Sequence, residues 1–304
     1  MKFVDGNIKL SDNQDENYIE IDNEDFFLSY LNADFKSNKG ASSNLFILHD
    51  PNGDTEDRVI KICKTPLNPA ARTQDKRITR FKREIKAFTL VKKYNLSGVV
   101  IFFGNGEVEI ADQTFLFIIL EKADNDLANY LEKNNFKFSL NQKLSFCVSI
   151  LNGIKQLHDK GIYHRDIKHD NILIVNNEFK IADLGLVQFR EKDSDIDSAN
   201  EKIGPIGWLS PEATNKMLTK NKKIGNIYDC DINYKSDIFQ LGKLFWYIFQ
   251  GNLPLGQLIL NDKKSGESDI FEIIFLMLQY DKQRRPEIDQ INLLFDPIKI
   301  RLAV

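Results

Sequence analysis

Hydrophobic and polar positions alternate in several short stretches of the first third of the chain. Residues 26–35, 44–49 and 58–63 read as three strands separated by loops rich in Asn, Asp, Gly and Ser. Residues 78–94 change period: Phe81, Ile85 and Phe88 fall at i, i+4 and i+7, the spacing of one helical face. Residues 99–103 and 115–120 return to strand patterning, so this region predicts a small five-stranded antiparallel sheet with one helix. Later the pattern is mainly helical. Ser139 with Gln142 forms a capping box, Leu144, Cys147, Val148, Leu151, Ile154 and Leu157 share one face, and Gly161 ends the helix. Residues 172–175 and 179–181 flank Asn176-Asn177, a pair suited to a tight hairpin turn. Residues 236–249 are apolar all round and predict a buried central helix, and two more helices are expected at about 269–280 and 287–300. Residues 213–234 read as a loop. Residues 1–25 carry Asp12, Asp15, Glu16, Glu20, Asp22, Glu24 and Asp25 with few apolar anchors, and read as a solvated acidic lead-in.

Composition narrows the class. With 304 residues, 42% apolar and 28% charged, the chain can bury a large core split into two lobes. A net charge of −3 gives no general affinity for nucleic acid or anionic membrane. No apolar run approaches the ~18 residues that cross a bilayer, and the first ten residues lack a signal-peptide core. Cys63, Cys147 and Cys230 are odd in number and lack framework spacing, which fits free thiols in a reducing cytoplasm.

Candidate chemistry gathers between Ile162 and Gly185. The hairpin leaves Asp166 and Asn171 on the loop before it and Asp183 just after it, with Lys168 between. Two carboxylates and an amide are hard oxygen ligands of the kind Mg²⁺ takes, alongside phosphate oxygens. Upstream, Lys61 lies in the apolar strand RVIKIC. An ammonium facing inward there needs a partner, because burying it alone is costly.

The run HRDIKHDN, followed by DLG twelve residues after its Asn, resembles the catalytic loop and metal-binding motif of the protein kinase family. That resemblance implies an α+β, two-lobed fold: residues 26–121 as the sheet-bearing N-lobe, 122–126 as a hinge and 127–304 as a mainly helical C-lobe. It implies an ATP- and Mg²⁺-dependent phosphotransferase acting on Ser/Thr hydroxyls of protein substrates, with no nucleic-acid or membrane partner. In the family's pattern Lys61 pairs with Glu84 and holds the α and β phosphates, while Gly40 belongs to the phosphate-covering loop. The backbone at Glu121 and Ala123 meets adenine, with Leu120 behind it and Leu173 also on the nucleotide. Asp166 and Lys168 are the catalytic pair, and Asn171 and Asp183 hold metal. Lys61 with Glu84 and the Asp166–Asn171–Asp183 group are thereby expected around one cleft. Ser210-Pro211-Glu212 resembles the family's Ala-Pro-Glu, with Arg285 as the partner of Glu212. Asp237 resembles the aspartate that braces the catalytic loop, and His164 is a packing residue.

Departures from the family pattern keep alternatives open. Gly40 stands alone where the family has three glycines, and Pro205 replaces a Thr that touches the catalytic Asp and Lys. Trp208 is closer to tyrosine-kinase usage. His169 replaces a proline, a change expected at the loop surface. Arg165 calls for an anion, either from Asp193, Asp195 or Asp197 or from autophosphorylation of Ser194 or Ser198. The competing readings are a pseudokinase, which binds without turnover, and a small-molecule kinase; the SPE segment, Asp237 and Arg285 disfavour the latter.

Overall fold

The computed structural model describes residues 1–31, 42–68, 70, 75–191, 197, 201–219, 228–256, 258–262 and 268–302. They form two compact units, Met1–Asn95 with Val100–Lys122, and Leu96–Val99 with Ala123–Val304.

The first unit begins with a hairpin, β1 (Lys2–Val4) and β2 (Asn7–Lys9), turned by Asp5 and Gly6, both at positive φ. Strands β3 (Tyr18–Ile21), β4 (Glu24–Tyr30), β5 (Ser43–His49), β6 (Arg58–Cys63), β7 (Phe102–Ile110) and β8 (Gln113–Glu121) form a six-stranded antiparallel sheet in the order β3-β4-β5-β6-β8-β7. One sheet face is a core in which Ile19, Ile21, Leu28, Phe46, Leu48, Ile60, Ile62 and Phe115 pack together.

Residues 1–25 are therefore not a solvated lead-in. Ile8, Ile19 and Ile21 are buried, Tyr30 Oη accepts from Leu10 N at 3.0 Å, and β3 adds a sixth strand to the five expected. The acids misled because they occupy the outward positions of an alternating pattern. Strand β7 also runs further than expected. Gly104 and Gly106 resemble loop residues, yet a Cβ on Gly106 would lie 2.9 Å from the Phe117 ring, so glycine is what lets that ring lie across the strand. Helix α1 (Lys76–Lys93) is capped by Asp75, whose Oδ1 accepts from Arg77 N at 2.7 Å. It buries Ile78, Phe81, Glu84, Phe88 and Val91.

In the second unit, the residues expected to form a hinge include β9 (Asn125–Asp126), which pairs with β11 (Ile172–Val175). Helices α2 (Leu127–Lys133) and α3 (Leu140–Asp159) follow, α3 with the expected Ser139–Gln142 capping box. Strand β10 (Ile162–Tyr163) pairs with β13 (Gln188–Phe189), and β11 with β12 (Glu178–Ile181) around Asn176 and Asn177, both at positive φ as the hairpin requires. Helix α4 (Pro211–Leu218) occupies part of the stretch expected to be loop. Helix α5 (Tyr234–Gln250) is buried at every position from Lys235 to Phe249, matching its all-round apolar pattern. Helices α6 (Ser268–Met277) and α7 (Ile288–Leu302) close the described chain. Arg285 Nη1 and Nη2 donate to Glu212 Oε1 and Oε2 at 2.7 and 2.9 Å, tying the start of α4 to the turn before α7. Neither residue is more than 2% exposed, so this fork pairing satisfies two charges that burial would otherwise penalise.

Candidate active site

Each unit carries part of the predicted constellation. In the first, Lys61 lies between Leu45 and Ile118 in the register of the sheet. Ile60 and Ile62 face the core, so alternation sends Lys61 to the opposite face, where its Nζ donates to Glu84 Oε1 of α1 at 2.7 Å. Lys61 is 7% and Glu84 2% exposed, so each charge is the other's compensation. Glu121 ends β8 with its amide donating to Ile101 O at 3.0 Å and its Oε1 accepting from Ile101 N at 2.6 Å. Its amide is thus committed to the fold. Leu120 is buried. Gly40 lies outside the described residues.

In the second unit, the loop from His164 to Asn171 hangs from the first turns of α5. Asp237 Oδ2 accepts from the His164 amide at 2.7 Å and from His158 Nε2 at 2.9 Å; its Oδ1 accepts from the Arg165 amide at 2.7 Å. One turn on, Gln240 Oε1 accepts from Ile167 N at 2.9 Å and its Nε2 donates to Arg165 O at 3.1 Å. The brace expected of Asp237 is present. Gln240 was missed, although a glutamine three residues after Asp237 in a mainly apolar helix was a readable signal. His164 is structural: its Nδ1 accepts from Asp166 N at 3.2 Å, which places the ring proton on Nε2 to donate to Ala182 O at 3.0 Å.

These tethers bury Asp166 to 7% exposure. Asn171 Nδ2 donates to Asp166 Oδ2 at 2.9 Å and to Asp166 O at 2.8 Å, and Lys168 Nζ stands 3.9 Å from Asp166 Oδ2 and from Asp170 Oδ2. Asp166 Oδ1 accepts no hydrogen bond. Burial pushes the Asp166 carboxyl up to about 6; Lys168 pulls it down, and the charge of Asp183 pushes it up again. Asp183 follows β12 at φ +58, its Oδ1 accepting from Gly185 N at 3.3 Å, and Leu184 fills a fully buried apolar slot. Arg165 also has positive φ, so two non-glycine residues of this group hold a sparsely populated conformation. Leu173, half-exposed on β11, sits opposite Lys180 and Asp126, and Ala123 is half-buried where the second unit resumes.

The segment after DLG comes close to this loop. Gly204, at φ +95, brings its backbone so near that a Cβ would lie 3.3 Å from Arg165 O and 3.5 Å from Asp166 Oδ1. Arg165 Nη2 lies 2.7 Å from Asp197 Oδ2, both side chains being at most 2% exposed, and Arg165 Nε donates to Leu186 O at 2.7 Å. Of the anions considered for Arg165, Asp197 is the one among the described residues, and its carboxylate lies on the guanidinium. Asp193, Asp195, Ser194 and Ser198 lie outside the described residues. His169, expected at the loop surface, is half-buried. Its ring packs 5.1 Å from Trp208 and 4.8 Å from Tyr247. Among the described residues no helix is long and apolar enough to cross a membrane. No group of three or more His, Cys, Asp and Glu among them forms a metal cage. A donor pair of Asp183 and the Asn171 amide oxygen suits a cation that takes much of its shell from phosphate.

Comparison with known proteins agrees with this arrangement. A family model described as protein kinase domain matches residues 52–293, about four-fifths of the chain. Fer-related kinase 1 of Caenorhabditis elegans is 31% identical over 218 residues, covering 71% of this chain and 48% of that protein. Dual specificity protein kinase TTK of Mus musculus is 27% identical over 157 residues, 50% of this chain and 17% of its own length. Probable serine/threonine-protein kinase ireA of Dictyostelium discoideum is 28% identical over 162 residues, 49% of this chain and 15% of its own. The chain thus spans about half or less of the length of these relatives. A sheet-bearing unit with one helix, a helical unit around α5 and a family match across both leave one conclusion: the chain belongs to the protein kinase family.

Proposed function

We propose that the chain transfers the γ-phosphoryl group of ATP to serine or threonine hydroxyls of protein substrates, with Mg²⁺ as cofactor. The observation that carries this reading is the Asp166 carboxylate. It is buried, fixed through Oδ2 by Asn171, and left with an Oδ1 that no described donor reaches. A free acceptor oxygen in that setting is suited to take a hydrogen bond from an attacking hydroxyl and to orient it. Lys168, 3.9 Å from the same carboxylate, supplies positive charge to the transferred group and is the residue that favours Ser/Thr over Tyr. Lys61, fixed by Glu84, holds the α and β phosphates. Asp183 and Asn171 hold the metal, with Leu173 and the backbone at Glu121 and Ala123 on the base. Magnesium, when bound, neutralises charge on the phosphate oxygens. The repulsion between Asp183 and Asp166 supports a cation beside Asp183, since a divalent ion there relieves it. Three free cysteines, two of them buried, support a reducing, cytoplasmic setting.

The test is incubation with γ-labelled ATP, Mg²⁺ and a generic protein acceptor, followed by phosphoamino-acid analysis, with the Asp166→Asn chain as control. Label on serine or threonine that the control lacks is the expected result. Label on tyrosine alone overturns the residue preference, and nucleotide binding without any transfer overturns catalysis in favour of a pseudokinase.

A further inference from the structure

Within the second unit lies an open cavity of about 720 Å³, lined by residues other than those assigned to phosphoryl transfer. Its walls include Leu209, Leu258, Phe275 and Leu278, and its size is that of a ligand site. Lys243 of α5 lines it. This lysine is 7% exposed, and its Nζ donates to Gly207 O at 2.9 Å and to Pro254 O at 3.0 Å, with the Phe239 ring 5.6 Å away. Among the described residues no carboxylate lies within ion-pair distance of it, which separates it from Lys61, Lys235 and Lys282, each similarly buried but paired with an acid. Burial without an anion pulls its pKa down to about 8. An ammonium has three donors, and two neutral carbonyls use two of them.

The mouth of the cavity points to the occupant. Ile206, Leu255 and Tyr280 all line it, and they are 71%, 73% and 73% exposed. A ligand seated wholly in the pit leaves these three side chains wet, whereas a chain crossing the mouth covers them and gains the burial. Arg284, 76% exposed beside Asp281, adds a second cation at the rim.

We propose that this cavity docks a short segment of a partner protein, in which an Asp or Glu carboxylate reaches Lys243 and flanking aliphatic or aromatic side chains cover Ile206, Leu255 and Tyr280. The inference goes beyond the phosphoryl-transfer reading and does not rest on it, because binding can be read with the Asp166→Asn chain as well.

The experiment pans a phage-displayed library of random dodecapeptides on the full chain, with counter-selection on Leu255→Asp, a change at an exposed site that leaves the fold intact. Selected peptides are expected to carry one acid between apolar residues. Their synthetic forms should lose about tenfold in affinity when that acid is changed to Gln or when Lys243→Met is the target, a step of about 1.4 kcal/mol. The Gln peptide keeps the test sound even if Lys243→Met folds poorly. Peptides enriched without an acid, or bound equally by Leu255→Asp, overturn the proposal. So does the absence of enrichment, whether dodecanoate fills the cavity instead or the chain self-associates through Leu255 in sedimentation.

Discussion

Replacing Asp166 by Asn should slow phosphoryl transfer steeply and stabilise the fold, and the stability gain should depend on pH. The carboxyl is raised from 3.8 to about 6 in the folded chain. Between those values the folded state binds the proton more tightly than the unfolded state, so stability falls as pH rises through that window. At pH 7.5 the ionised carboxylate costs about 3 kcal/mol, and at pH 5 about 1.6 kcal/mol, since there the folded chain is already mostly protonated. Asn never ionises and recovers this cost, but it places an amide NH₂ where Asp166 Oδ1 now has no donor, a pH-independent penalty of about 1 kcal/mol. The net gain is therefore ~2 kcal/mol at pH 7.5, or about 4 °C in Tm, and under ~1 kcal/mol at pH 5. The difference of about 1.4 kcal/mol between the two pH values is the decisive quantity, because the amide penalty cancels from it. Urea unfolding followed by the fluorescence of Trp208 and Trp246, both in the unit that holds Asp166, measures it. A variant whose advantage is the same at both pH values, or larger at pH 5, would refute the claim that the carboxylate is held out of water. Activity should meanwhile drop by ~10²–10⁴.

Lys61→Met should remove activity and cost ~3–5 kcal/mol in urea unfolding, because Glu84 is then a buried charge without its cation; adding Glu84→Leu should restore most of the stability and none of the turnover. At Glu212, burial pushes the carboxyl up, but the hydrogen bonds and charge of Arg285 outweigh it and hold the pKa below its usual value. The stability this supplies should be present above about pH 4.5 and lost as pH falls through the lowered value; Arg285→Met should cost ~3–5 kcal/mol at pH 7 and flatten that acid limb in a urea-against-pH series. With Asp197 already on Arg165, chain shown by intact mass to carry no phosphate should transfer phosphate at its full rate. Asp197→Asn should slow it at least about tenfold, and a variant as fast as its parent would remove that carboxylate from the account.

What could be read from the sequence was what the chain does locally. Residues 172–181 announce their hairpin because branched residues flank an Asn pair, and that turn fixes the offset of Asp183 from Asn171 without help from elsewhere. Lys61 was legible for a different reason: a charge in the middle of an apolar strand needs an opposite charge, and the resemblance to the kinase family pointed to Glu84 on the helix that follows. The hairpin of β1 and β2 carried the same kind of signal in Asp5-Gly6, and Asp22-Asn23 turns β3 into β4 at positive φ. Both were overlooked because the acidic residues around them were weighed as composition rather than as positions. Once Glu20 and Asp22 are set against Ile19 and Ile21, the alternation of an edge strand is plain.

What could not be read were the hydrogen bonds by which one distant helix sets the geometry of the loop. The motif HRDIKHDN gives residue types, but not the reason the loop keeps Arg165 at φ +65 and Asp166 buried. Four backbone groups, the amides of His164, Arg165 and Ile167 and the carbonyl of Arg165, are pinned by Asp237 and Gln240. Each is a group that burial would leave unsatisfied, at ~1–3 kcal/mol apiece, so the loop can be held in a strained shape only because α5 supplies partners for all of them. Helix α5 places the side chains of Asp237 and Gln240 three residues apart on one face, where a single turn reaches the loop from His164 to Ile167. The strain at Arg165 and the proton affinity of Asp166 are then two consequences of one cause: the loop is fixed by backbone bonds, which leaves its side chains free to be held where water would not put them.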